Sequence, residues 1–346
     1  MSAITVSGEL VHYEVLGRGR PVILLHGWLG SWRYWIPTMQ QLHMKYRVYA
    51  LDLFGFGDSS KARNAQLYTV QQQASMLDDF MQQLAIPRAA FIGHGLGAMI
   101  IAEYAFKHQK ERVPRALLSS LPLYDIGGLD QRTPRRTKPK RGTFVPDDPD
   151  RTIPSSSLEK TIASKNSASM IRAAIRERAA ARNQDSGGGI PSPIQPKESE
   201  TTEPRENLLR QSLGTTDMSE LLARCFRSSE VEYGKLQGDV LNAKEKALQV
   251  VVDGFDAAHM LDTIHGLEMP IVLVHGEQDP LVPVPNKAVW DYVSGGTGDT
   301  LTIPVPNVRH FPMLEHERFG RFVNDFLETP RIEDLEIRER WRRRSR

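Results

Sequence analysis

The stretch Phe91-Ile92-Gly93-His94-Gly95-Leu96-Gly97-Ala98 restricts the fold of this chain more than any other. An aromatic and β-branched run stops at glycines in alternate positions. The helix-forming Met99-Ile100-Ile101-Ala102-Glu103-Tyr104 follows at once. This order predicts a buried strand, a very tight turn and a helix. The residue at the middle of the turn, Gly95, has no side chain and so no atom that could attack an electrophilic carbon.

The rest of the chain repeats the same rhythm. Glu9 to Val15 alternates and leads through Gly17-Arg18-Gly19-Arg20 into the apolar run Pro21 to Leu25, which predicts an opening hairpin. The second run lacks polar alternation, as expected for a strand covered on both faces. It ends at His26-Gly27-Trp28-Leu29-Gly30-Ser31, and a helix carrying Trp35, Met39 and Leu42 should follow. Arg47 to Leu53 reads as a strand running into the turn-rich Phe54-Gly55-Phe56-Gly57-Asp58-Ser59-Ser60. Thr69 to Leu84 puts Val70, Ala74, Leu77, Phe80, Met81 and Leu84 on one helical stripe, and Ala116-Leu117-Leu118 is a further short strand. Pro270 to Val274 is another buried strand, followed by a helix with Ala288, Trp290 and Val293. A strand near Thr300 to Val305 comes next, then a closing helix with Phe319, Phe322, Val323 and Phe326. Strands alternating with helices predict an α/β protein, a three-layer sandwich around a mostly parallel, doubly wound sheet.

Between about Pro122 and Leu267 the rhythm stops. Thr133 to Arg151 is rich in proline and basic residues, Leu158 to Arg182 has one apolar face, and Asn183 to Pro204 reads as low-complexity linker. Leu208 to Ala258 predicts two or three more helices. The segments expected are therefore a core part over 1–121 and an inserted helical lid over 122–265 with a disordered linker near 183–206. A second core part over 266–328 and a basic tail over 329–346 complete the chain.

With 346 residues, 40% of them apolar, the chain can bury a large core. Its net charge of +2 gives no global nucleic-acid footprint, so no specific nucleic-acid partner is expected. The basic run Arg135 to Arg141 and the arginine-dense tail are the places where an acidic partner or an anionic surface could dock. A single cysteine, Cys225, favours a reducing compartment. The start lacks the pattern of a signal peptide, and no apolar stretch reaches the roughly 18 residues of a membrane span. A cytoplasmic protein without a transmembrane segment is the expectation.

His26-Gly27, Asp52 with Gly55 to Ser59, the turn at Gly93 to Gly97, Gly276 to Asp279, and His310-Phe311-Pro312 fall in the order of the landmarks of the α/β-hydrolase family. The chain resembles that family over about residues 5–121 and 265–328, and within it the esterase, lipase and epoxide-hydrolase-like branch. In the family the turn is a nucleophile elbow, G-x-S-x-G, and the acid and base follow it. The resemblance implies that Gly95 stands at the nucleophile position, Asp279 at the orienting acid and His310 at the base. It also implies that the backbone N–H groups of Trp28 and Leu96 form the oxyanion hole. No cofactor and no metal are implied. His26 and His94 are expected to shape the loops, Ser119 and Ser120 to bond at a strand end, and Cys225 to be core. Asp125 is the alternative position for the acid.

Three functions fit. The chain is an esterase-like protein for a small apolar or ester-like ligand, impaired in acyl transfer because Gly95 lacks a nucleophile. It is a His-Asp enzyme using His310 as a general base, of lyase, oxygenase or water-activating type. Or it is a non-catalytic, ligand-binding pseudoenzyme. Whether the chain is an enzyme is left open by its sequence.

Overall fold

The computed structural model describes residues 2–132, 207–296 and 298–335. The basic run Arg135 to Arg141, the helix expected over 158–182, the linker and the arginine-rich end of the tail lie outside the described residues.

Eight strands form one sheet: β1 (Ser2–Val6), β2 (Glu9–Leu16), β3 (Arg20–Leu25), β4 (Tyr46–Leu51), β5 (Ala90–His94), β6 (Ala116–Ser119), β7 (Ile271–Gly276) and β8 (Thr300–Val305). Their order is β1-β2-β4-β3-β5-β6-β7-β8. The first two pairings, β1 with β2 and β2 with β4, are antiparallel, and all the others are parallel. The expected hairpin is corrected here. β2 does not pair with β3; its hairpin partner is β1, across Ser7-Gly8, where both residues have positive φ (51° and 82°). Those angles suit the type I′ turn whose twist matches the flanking strands. β3 instead lies between β4 and β5, buried on both faces, as its unbroken apolar run requires.

Helices α1 (Ile36–Leu42), α2 (Val70–Gln83) and α3 (Leu96–Arg112) connect the first strands. Thr69 caps α2 by accepting the N–H of Gln72, and Ala74, Leu77, Phe80 and Met81 turn inward as the stripe requires. Between β6 and β7 the chain forms α4 (Leu208–Leu213), α5 (Met218–Cys225), α6 (Val231–Leu241), α7 (Glu245–Asp253) and α8 (Ala257–His265). Leu208 to Ala258 thus holds four short helices and the start of a fifth, where two or three were expected. Gly214 in the left-handed region and the Asp217 cap divide the first two.

The chain closes with α9 (Lys287–Ser294), α10 (Pro312–Glu315) and α11 (Phe319–Glu328). On α9 the inward face is Val289, Tyr292 and Val293, while Ala288 is exposed, because the Asn286 cap sets where the helix begins. On α11 all four expected aromatic and valine positions are buried. Ile332 and Leu335, in the segment expected to be tail, are buried in the core as well. No helix among the described residues is long and apolar enough to cross a membrane.

Candidate functional site

The carboxyl ends of the parallel strands bring the sequence landmarks to one edge of the sheet. Gly27 and Trp28 follow β3, Gly95 follows β5, Ser119 ends β6, Asp279 follows β7 and His310 follows β8. A crevice at this edge is where open α/β sheets bind ligands.

Asp279 and His310 are in contact. His310 Nδ1 lies 2.9 Å from Asp279 Oδ2 and 3.1 Å from Oδ1. Oδ1 also accepts the N–H groups of Leu281 (2.8 Å) and Val282 (3.0 Å). Burial opposes ionisation of this carboxyl, yet His310 and these two N–H groups hold it below the usual carboxylate range. The ring is therefore fixed with Nδ1 toward the acid, and Nε2 is buried with no hydrogen-bond partner among the described residues. Trp28 stacks on it at 5.9 Å between ring centroids.

Gly95 adopts φ 51°, ψ −112°, a conformation that side-chain-bearing residues take only under strain. There is nevertheless room: a Cβ at Gly95 would lie 3.6 Å from Gly27 Cα and 3.6 Å from the Trp28 ring. Its N–H is held by the Ser119 carbonyl at 2.9 Å. Leu96 opens α3, so its N–H has no acceptor within the helix. Gly97 serves a different purpose, because its N–H bonds the His26 carbonyl at 3.0 Å and brings α3 against the end of β3.

His26 shapes the loops, as expected. Its Nδ1 donates to the Gly27 carbonyl and its Nε2 accepts the Leu53 N–H, so the ring is neutral. Burial, partly offset by Asp52, keeps its pKa below the ordinary value. Asp52 braces the neighbouring turn by accepting from Trp32, Asp58 and His12, each at 2.9 Å. His12, Asp52 and Asp58 are the one histidine and carboxylate group among the described residues close enough to share a cation. His12 Nδ1 and the Asp52 carboxylate are already engaged in this brace, and the Asp58 carboxylate is paired to Arg33.

Ser120 Oγ donates to the His310 carbonyl at 3.2 Å, the strand-end bond expected of it, whereas the buried Ser119 Oγ has no partner among the described residues. Cys225 is core. Asp125 binds Gly127 and Asn286 at the surface, while the contact with His310 is made by Asp279. His94 is buried beside His310, with ring centroids 4.6 Å apart and neither nitrogen bonded among the described residues. Burial first, and then the neighbouring histidines, push its pKa well down.

Sequence reading missed the residues that clamp the His310 loop. Glu315 straddles it, accepting the N–H of Arg309 (2.8 Å) and of Phe311 (2.9 Å). A glutamate in the first turn of a helix opened by Pro312 was the available signal, since such residues reach back to free N–H groups. Arg309 in turn pairs with both oxygens of Glu230, just before α6. Beyond the other end of the strand edge, Asp239 of α6 accepts from Ser31 and Arg33. Helix α6 is thus tied at both ends to the loops that carry Trp28 and His310. Trp28 and Leu96 are fully buried and His310 is 1% exposed, so these residues lie under cover. Glu230→Gln is expected to speed amide hydrogen exchange in residues 231–241 and 308–314 together, with β3 and β5 unchanged. Faster exchange confined to α6 would show that the pair does not couple the cover to the His310 loop.

Three histidines also set an acid limit on stability. Burial lowers His26 and His94, and lowers His275 to about 4 from 6.5. Because the folded values lie below the unfolded one, the unfolded chain takes up protons first as pH falls. This contribution to stability is complete above about pH 6.5 and falls below it, the part due to His275 being lost by about pH 4. The urea midpoint should fall over that range, and His275→Gln should flatten the fall.

The alpha/beta hydrolase fold family model matches residues 20–317, and the chain belongs to that family. Curated relatives match over parts of the chain. Bifunctional epoxide hydrolase 2 of Rattus norvegicus is 34% identical over 120 residues, which is 34% of this chain and 21% of the relative. The soluble epoxide hydrolase of Corynebacterium sp. is 30% identical over 104 residues, covering 30% and 36%. The mesoderm-specific transcript protein of Mus musculus is 31% identical over 138 residues, covering 38% and 41%. The chain thus spans less than half the length of these relatives. Among solved structures, a serine-to-glycine mutant of the N-acyl homoserine lactonase AidH with N-hexanoyl homoserine lactone has a TM-score of 0.58 at 18% identity. It covers 94% of this chain and 96% of its own. The esterase of Thermogutta terrifontis has a TM-score of 0.57 at 17% identity, over 94% and 98%. At these identities the likeness shows the fold alone.

Proposed function

We propose that this chain is an esterase-like hydrolase scaffold that binds a small apolar ester or lactone beneath α5 and α6, acting as a lid, and does not transfer its acyl group. One observation carries this reading. The Asp279–His310 pair is assembled beside an elbow whose backbone has room for a side chain, but Gly95 supplies none. His310 takes the role of base, Asp279 orients it, and the N–H groups of Trp28 and Leu96 face a bound carbonyl oxygen. The partial matches to epoxide hydrolases support a hydrolase scaffold for a small substrate. The test is a panel of p-nitrophenyl esters from acetate to octanoate, together with calorimetry of a non-hydrolysable phosphonate analogue. Saturable analogue binding without ester turnover is expected.

A second reading rests on the unpartnered Nε2 of His310. That nitrogen could take a proton from water, so that hydroxide attacks the substrate directly and no covalent intermediate forms. Ester or epoxide turnover by the glycine form that disappears in His310→Ala would favour this reading over the first.

A further inference from the structure

At the opposite edge of the sheet, where the strands begin, Arg20, Arg88 and Arg115 line a cavity of about 280 Å³. Arg20 opens β3, Arg88 precedes β5 and Arg115 precedes β6, so the strand order β3-β5-β6 brings the three together. None of the three is ion-paired with a carboxylate among the described residues, and no acidic residue lines the cavity. Glu328, next in sequence to the lining residue Leu327, is already held by Lys45. Arg115 uses Nη1 on the carbonyls of Phe326 and Thr329, at the end of α11, which leaves its other N–H groups free of those bonds. Burial works most against its ionisation; the Tyr46 hydroxyl offsets part of this, and the charge of Arg20 adds a smaller opposition. The wall is apolar, with Pro114, Leu327 and the Tyr46 ring, over which Arg20 lies at 5.4 Å.

We propose that Arg20, Arg88 and Arg115 form an anion site for a phosphate monoester with a small apolar or aromatic body. Gathered guanidinium groups repel one another, and a dianion between them removes that repulsion while accepting charge-assisted, forked hydrogen bonds. The volume exceeds what a bare phosphate needs, and the apolar wall gives the ester's organic group a surface to cover. The site is separate from Gly95 and His310 and does not depend on any reading of their chemistry.

The test is calorimetric titration of the full chain with inorganic phosphate and with phenyl phosphate, at ionic strength held constant with sodium chloride. Saturable one-site binding is expected, tighter for phenyl phosphate. The Arg20→Gln, Arg88→Gln double variant should bind about tenfold more weakly or worse, since hydrogen bonds to charged groups are worth that much. Arg115 is left intact because it holds the end of α11. An Arg63→Gln, Lys107→Gln variant removes the same charge from other exposed positions and should bind as the parent does. Equal weakening in both variants, or heats that do not saturate, would overturn the site in favour of general charge attraction. A vesicle arm containing phosphatidic acid separates the sources of the monoester. Retention that phenyl phosphate reverses and the Arg20, Arg88 variant lacks identifies a lipid headgroup. Phenyl phosphate binding without vesicle retention identifies a soluble monoester. Retention undiminished in that variant would count against the site.

Discussion

Gly95→Ser should turn a protein expected to be inert toward esters into an esterase, with kcat/KM rising by about four to six orders of magnitude. The upper end is what removal of a serine nucleophile costs in serine proteases, about 10⁶, measured against a serine-less site like this one, and the lower end allows for a serine placed less well than in those enzymes. The gain is expected because the substitution adds the one missing atom and moves little else. A Cβ at this position meets Gly27 and the Trp28 ring at ordinary contact distance. His310 stands in a fixed orientation with Nε2 unpartnered, and Asp279 holds the far side of its ring. The backbone at φ 51° is strained for serine, so the variant should lose roughly 1 to 3 kcal/mol of stability. His310→Ala in the serine background should return activity to the level of the glycine form. Asp279→Asn should cost about 10⁴, the size of effect seen when the orienting acid of a triad loses its charge. A folded serine variant that stays inert across short and long esters would show that the pocket no longer accepts esters at all. Activity of the glycine form that depends on His310 would instead establish direct base catalysis.

The elements that carry this site were legible because each is local. A β-branched run ending in glycine, or an apolar run ending in His-Gly or Asp-Pro, marks a strand end whatever the strand pairs with. The positions of Gly95, Asp279 and His310 at one edge then follow from parallel pairing alone. Strand pairing itself was less legible. Gly17 to Gly19 look like a hairpin turn, but they form a connection in which Gly17 and Gly19 pass close to the backbone of His43 to Tyr46. The true hairpin turn, Ser7-Gly8, is a weaker signal than Asn-Gly or Asp-Gly. The clamps around the site could not be read at all. Glu230 meets Arg309 across 79 residues and Ser31 meets Asp239 across 208, and nothing in either local pattern specifies the partner.

The glycines of the elbow should separate sharply by substitution, because each is glycine for a different reason. Gly95 needs only its φ, so Gly95→Ala is expected to fold and to lose roughly 1 to 3 kcal/mol, with no esterase activity gained. At Gly97 a Cβ would sit 2.3 Å from the Leu25 carbonyl oxygen and 2.7 Å from that of His26. Both contacts are backbone, so no rotamer change relieves them. The substituted helix has to lift from β3, which would break the Gly97 N–H bond to His26 and displace the loop that carries Trp28. Gly97→Ala should therefore cost about 3 kcal/mol or more, the range of severe overpacking. Thermal and urea denaturation of the two alanine variants, in parallel with the parent, measure the difference. Because α3 also positions Leu96, a Gly97→Ala variant that folds should bind the phosphonate analogue more weakly, whereas Gly95→Ala should bind it nearly as the parent does. If Gly97→Ala proves as stable as Gly95→Ala, then α3 approaches β3 less closely than these distances indicate, and the oxyanion position assigned to Leu96 fails with it.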